Sequence, residues 1–81
     1  MANSKYILAI DLGTSGPKVA LVSTFGEILV VESEKIPLHL LSGGGAEQSP
    51  QDWWEGIKTA THKILSKNLV PVDDILAISC T

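Results

Sequence analysis

Two short apolar runs, Tyr6-Ile7-Leu8-Ala9-Ile10 and Val19-Ala20-Leu21-Val22, stand on either side of Asp11-Leu12-Gly13-Thr14-Ser15-Gly16. Neither run is long enough for a helix, and the residues between them are those of a tight turn, so the segment reads as strand, turn, strand. An acidic residue therefore closes a buried strand, and a small-residue turn carries the chain straight into the next one. A phosphate needs backbone N–H groups it can approach closely, and two glycines with two hydroxyls supply them. Asp11 cannot meet a phosphate without repulsion; its natural task there is to hold a phosphate-bound Mg²⁺ through water.

The same residues also make an ordinary hairpin, because glycine supplies the positive φ that tight turns require. Both readings stand at this point. The stretch is not a P-loop, since no Gly-Lys-Ser/Thr follows and a strand, not a helix, comes next. It departs from the dinucleotide fingerprint for the same reason.

The first strand is expected from Lys5 to Leu12, and its near-continuous hydrophobicity implies cover on both faces. The second is expected from about Lys18 to Thr24. A turn at Phe25-Gly26 leads into a third, from Glu27 to about Ile36. Glu32, Glu34, Lys35 and Pro37 place that strand toward a sheet edge. Leu38 to Gln48, with Gly43-Gly44-Gly45 inside it, reads as a loop. Ser49 is a good N-cap, Pro50 fits the first helical position, and Asp52 can reach back to the cap. Trp53, Trp54, Ile57, Ala60, Ile64 and Leu65 then form a stripe of period 3.6. His62, Lys63 and Lys67 suit the negative end of the helix dipole, Asn68 suits a left-handed stop, and Pro71 blocks continuation. A last strand from Asp74 to Thr81 lies where a crossover brings it in parallel beside the first.

Eighty-one residues make at most one domain, near the size at which one core is barely sufficient. The net charge of −3 without a basic run argues against nucleic-acid or anionic-membrane surfaces. A single cysteine excludes an internal disulfide framework and suits a reducing, cytoplasmic setting. No apolar stretch reaches the roughly 20 residues of a membrane span, and the start is too short for a signal peptide.

The first and last strands both read as buried on two faces, yet one helix covers one face. Either a partner covers the other, which makes self-association through the apolar sheet face an expectation, or the chain is the first piece of a longer protein. The second is favoured.

The order strand, Asp-Leu-Gly-Thr-Ser-Gly, strand, turn, strand, helix, strand resembles the start of the FGGY carbohydrate kinases, the xylulose-kinase-like branch in particular. Ile10-Asp11-Leu12-Gly13-Thr14-Ser15-Gly16-Pro17-Lys18 is similar to the family's first phosphate hairpin. Ala46-Glu47-Gln48-Ser49-Pro50-Gln51-Asp52-Trp53-Trp54 is similar to the opening of its first long helix, and the distance between the two segments fits.

The resemblance implies a ribonuclease-H-like (actin-like ATPase) α/β fold fragment in the order β-β-β-α-β. It would be a three-stranded antiparallel meander plus a parallel strand after the helix, the first half of the first of two domains. It implies transfer of the ATP γ-phosphoryl group to a sugar or polyol hydroxyl. Asp11 would organise Mg²⁺, Gly13, Thr14, Ser15 and Gly16 would face the phosphates, and Lys18 would neutralise charge on the transferred group. Pro17 departs from the pattern by lacking an N–H, one potential phosphate donor. The catalytic base, an aspartate in the family, would lie beyond Thr81, as would the second phosphate hairpin and most sugar-reading residues. The piece is therefore expected to be inactive alone, and it does not name the sugar.

Trp53 and Trp54 read first as core and second as platforms for a sugar ring, Trp53 being the substrate candidate. Glu47 reads as a loop carboxylate or, by the resemblance, as support for the sugar site, the second being favoured. His39 and His62 lack a metal-ligand partner at useful spacing, and Cys80 reads as a small buried hydrophobe. Two other classes remain open: another actin-like ATPase, which would not share the Glu-Gln-Ser-Pro helix start, and a small non-catalytic α/β module pairing through its sheet face.

Overall fold

A computed structural model describes residues 4–13, 15–37, 39–40 and 42–81. Strands β1 (Tyr6–Gly13), β2 (Gly16–Ser23) and β3 (Ile28–Ser33) form an antiparallel meander. Strands β4 (His39–Leu40) and β5 (Ala46–Glu47) follow, then helix α1 (Pro50–Ser66), a 3₁₀ turn at Val72–Asp74 and strand β6 (Ile75–Cys80). The main sheet has the order β3-β2-β1-β6, with β6 parallel to β1, as the helical crossover demands.

Alternation along β2 decides how the layers meet. Pro17, Val19, Leu21 and Ser23 are buried, whereas Lys18 is exposed and Ala20 and Val22 are half-buried. The buried set faces α1, which lies mainly across β2 and β3. Val19 and Leu21 meet Leu8 of β1 and Ala60 and Ile64 of α1 in the core. The helix begins as its sequence specifies: Ser49 Oγ accepts from the Gln51 N–H at 3.2 Å, and Pro50 follows the cap. It ends at Asn68, whose φ of 52° is the left-handed stop. Two ion pairs bind the end of the helix and its cap to the end of the edge strand and the residue after it, Lys63–Glu34 at 2.6 Å and Lys67–Glu32 at 3.6 Å.

Four expectations change. The buried residues of α1 are Gly56, Ala60 and Ile64; Trp53 is only half-buried and Trp54 is 52% exposed, because the glycine, not the tryptophans, faces β2. The first and last strands are not covered on both faces: β6 is almost wholly exposed, with Leu76 and Ile78 open beside a helix that stops short of them. Cys80 is exposed for the same reason. The glycine-rich stretch holds a short ribbon, His39 pairing with Glu47 and Leu40 with Ala46, where Gly43 and Gly44 take φ values of 100° and 95° to reverse the chain.

Candidate functional site

The turn between β1 and β2 is a two-residue hairpin closed by the pair Gly13 and Gly16. Thr14 lies outside the described residues; Ser15 is exposed at the tip. Two pairs back from the closing pair, behind Leu12 and Pro17, Asp11 stands opposite Lys18, and Lys18 stands opposite Ser33 on β3. On the other side of β1, the Thr81 N–H donates to the Ile10 carbonyl at 2.9 Å and the Leu12 N–H to the Thr81 carbonyl at 3.0 Å, so the parallel ladder runs to the end of the chain described.

The period-two alternation of strands puts Asp11, Lys18, Ala9 and Ala20 on the face away from α1. There they line a shallow groove of about 230 Å³ with Ser79 and Thr81. Its floor is apolar and its polar groups gather at one end: a carboxylate, an ammonium and hydroxyls. Asp11 and Lys18 are both exposed, and among the described residues neither takes part in an ion pair.

The described residues contain no group of three or more His, Cys, Asp or Glu side chains able to cage a metal. A lone exposed carboxylate suits a cation that keeps its water and its phosphate oxygens, and Mg²⁺ is that kind of ion. The Asp11 carboxylate fits Mg²⁺ that arrives with a nucleotide.

Gly16 is glycine for two reasons: its φ of 143°, and a Cβ that would collide with the Glu34 carbonyl oxygen. Pro17 points its ring toward α1 and is fully buried. Its carbonyl accepts from the Glu34 N–H at 3.1 Å. Because N–H and C=O of one strand residue leave on the same side, the N–H that proline lacks would have faced β3, away from the turn tip.

A second cleft, of about 480 Å³, opens on the helix side of the same sheet end. Leu12, Gln48, Pro50, Trp53, Trp54 and Ile57 line it, and Lys58 Nζ lies 5.8 Å from the centre of the Trp54 ring. The structure thus brings Asp11, Gly13, Ser15, Gly16 and Lys18 together at one turn and sets Trp53 across the sheet from Asp11 and Lys18. Glu47 sits exposed in the ribbon and is not among the residues of the cleft; its neighbour Gln48 is. The sequence pointed to Gln48 only as part of the helix-start motif, not as a site residue, and did not point to Gly56. For Gly56 a signal existed: a glycine four residues before Ala60, on the inner stripe of a helix, marks a close approach.

Among the described residues no helix is long and apolar enough to cross a membrane. The family model of the FGGY carbohydrate kinases, N-terminal domain, matches residues 6–81. A glycerol kinase of Nitrosomonas eutropha is 36% identical over 81 residues, the whole of this chain and 16% of that protein. A xylulose kinase of Bacillus subtilis is 37% identical over 75 residues, 93% of this chain and 15% of that protein. The chain therefore spans about one sixth of the length of these relatives. The crystal structure of a gluconate kinase from Lactobacillus acidophilus superposes with a TM-score of 0.82 at 27% identity, covering 96% of this chain and 15% of that one. The β-β-β-α-β unit is accordingly a piece of the ribonuclease-H-like, actin-like ATPase fold. With turn, helix start and sheet order all accounted for, the chain belongs to the FGGY family of carbohydrate kinases, matching its N-terminal domain.

Proposed function

We propose that this chain supplies the first phosphate-binding hairpin of an ATP-dependent kinase acting on a sugar or polyol hydroxyl, as the first half of the first of two domains in a cytoplasmic protein. The observation that carries the reading is the pairing of Asp11 with Lys18 two pairs behind the closing glycines of a two-residue turn. The Ser15 hydroxyl and the backbone of the glycine-closed turn would offer donors to phosphate oxygens. The Lys18 ammonium offsets negative charge on the group in transfer, and the Asp11 carboxylate holds the water shell of Mg²⁺. When bound, Mg²⁺ neutralises charge on the β- and γ-phosphates.

Trp53, with Gln48 beside it, is the candidate acceptor-side residue, and Glu47 the candidate support. The likeness to the family implies that the base is an aspartate beyond Thr81, so the chain alone is expected to be inactive. The faces left bare by α1 are where the remainder of the parent domain would pack.

The test is Asp11→Ala in the full-length parent. Because Asp11 is exposed and unpaired among the described residues, circular dichroism and thermal stability should be unchanged, while kcat/KM falls by about 10²- to 10³-fold. Activity within a few-fold of wild type would refute the role.

A further inference from the structure

We propose that Gly56 of α1, acting through Pro17 and residues 34–36, is a positioning residue for the phosphate turn; the inference rests on the reading of that turn given above. A Cβ at Gly56 would lie 3.0 Å from Pro17 Cγ, 3.3 Å from Pro17 Cδ and 3.4 Å from Ile36 Cγ2. Glycine is disfavoured inside a helix relative to alanine, so its presence there marks a place where the helix must come close. What it comes close to is a stiff ring, buried to less than 2% exposure.

From Pro17 the contacts run directly to the turn. Pro17 follows Gly16 in sequence, and the Gly16 backbone rests against the Glu34 carbonyl. The Glu34 N–H donates to the Pro17 carbonyl at 3.1 Å, and the Ile36 N–H to the Ser15 carbonyl at 3.4 Å. Lys63, two turns along α1, holds Glu34 from the same helix at 2.6 Å. Ser15, Gly16 and Pro17 are thus backed on one side by residues 34–36, and both Pro17 and Ile36 abut Gly56. A two-residue loop of small residues has no bulk of its own to fix its N–H groups. Its support comes from behind, and α1 is the rigid member of that support.

The experiment uses the full-length parent protein with Gly56→Ala, Gly56→Val, Pro17→Ala and the double variant Gly56→Ala/Pro17→Ala. Mg-ATP affinity is measured by calorimetry without acceptor, alongside KM for ATP and for acceptor. A misplacement of 1 Å can cost about 10²-fold, so displacement by several tenths of an ångström should weaken Mg-ATP by the order of tenfold for valine and less for alanine. KM for the acceptor should stay put. In the double variant, loss of Cγ and Cδ should return affinity to that of Pro17→Ala alone.

A merely structural role would lower the active fraction, and so kcat, while leaving the nucleotide Kd and KM unmoved. Unmoved affinity in both folded Gly56 variants overturns the proposal, as does weakened affinity that Pro17→Ala fails to restore. Should Gly56→Val not fold, the alanine cycle decides alone. Asp11→Ala separates the two readings: if it leaves Mg-ATP binding and turnover intact, the phosphate assignment fails and this inference with it. If Asp11→Ala abolishes turnover and the Gly56 variants change nothing, this inference fails by itself.

Discussion

Replacing Gly16 by alanine should be among the most damaging single-methyl changes this chain can suffer. The new Cβ would collide with the Glu34 carbonyl oxygen and stand 2.9 Å from the Glu34 carbonyl carbon and 3.2 Å from Lys35 Cα, at a φ of +143°. Carbon atoms rest at about 3.5 Å or more, so the Glu34 peptide must retreat by at least about 0.6 Å. That retreat pulls on the 3.1 Å bond from the Glu34 N–H to the Pro17 carbonyl.

Backbone strain of about 1–3 kcal/mol, overpacking of about 1–3 kcal/mol and a lost hydrogen bond of about 1 kcal/mol give a cost of roughly 3–7 kcal/mol. Gly26 provides the control. Its φ is +91°, yet nothing lies within 4 Å of a Cβ built there. Gly26→Ala therefore carries the strain alone, and the two variants should differ by about 2–4 kcal/mol. Urea unfolding followed by far-UV circular dichroism measures both. Loss of a cooperative transition in Gly16→Ala, with Gly26→Ala retaining one, would meet the expectation. A difference under about 0.5 kcal/mol would show that residues 34 and 35 yield freely and would refute the steric argument.

Ser23 is buried, and its Oγ accepts from the N–H groups of Phe25 at 3.2 Å and Glu27 at 3.1 Å. Ser23→Ala should cost about 1–3 kcal/mol in the same urea assay, with the loss arising at the β2–β3 turn. The Lys63–Glu34 pair should show in the pH dependence. The hydrogen bond and the charge of Glu34 raise the Lys63 pKa above its ordinary value. A raised pKa contributes stability that is complete below the unfolded lysine value and lost as pH climbs through the folded one. Wild type and Lys63→Met should therefore converge as the solution becomes strongly alkaline, as followed by thermal melts across pH, and molar salt should shrink their difference at neutral pH.

Features written in local chemistry were legible from the sequence. The cap at Ser49-Pro50, the left-handed Asn68 and the hairpin at Gly13 and Gly16 each depend on the conformational limits of one or two residues, and those limits travel with the residues. The sheet order followed from a helix standing between the third and fourth main strands. What periodicity could not supply was the place where α1 touches the sheet. Large apolar side chains drew attention to Trp53 and Trp54, whereas the contact was built by an absence of side chain at Gly56 opposite Pro17. The hydrophobicity of Leu76 and Ile78 reads as a need for cover, and α1 does not supply it. Likewise Asp11, Lys18 and the turn were found together because they are close in sequence, while Gln48 and Leu12 meet in the cleft only through folding.

The two-residue span between Gly13 and Gly16 leaves the loop room to change length while the sheet stays as it is. An inserted residue makes a three-residue hairpin, a common and inexpensive form. A deleted one opens the Gly13–Gly16 pair and again makes a three-residue loop, now closed by Leu12 and Pro17, with the pairing of Asp11 and Lys18 kept. A slip of the strands by one residue is the change the fold cannot take: it would turn Lys18, Ala20 and Val22 under the helix and send Pro17, Val19 and Leu21 outward, exchanging a charge for the core in one step. Descendants of such a sequence are therefore expected to vary in the length of the tip and to hold the register behind it.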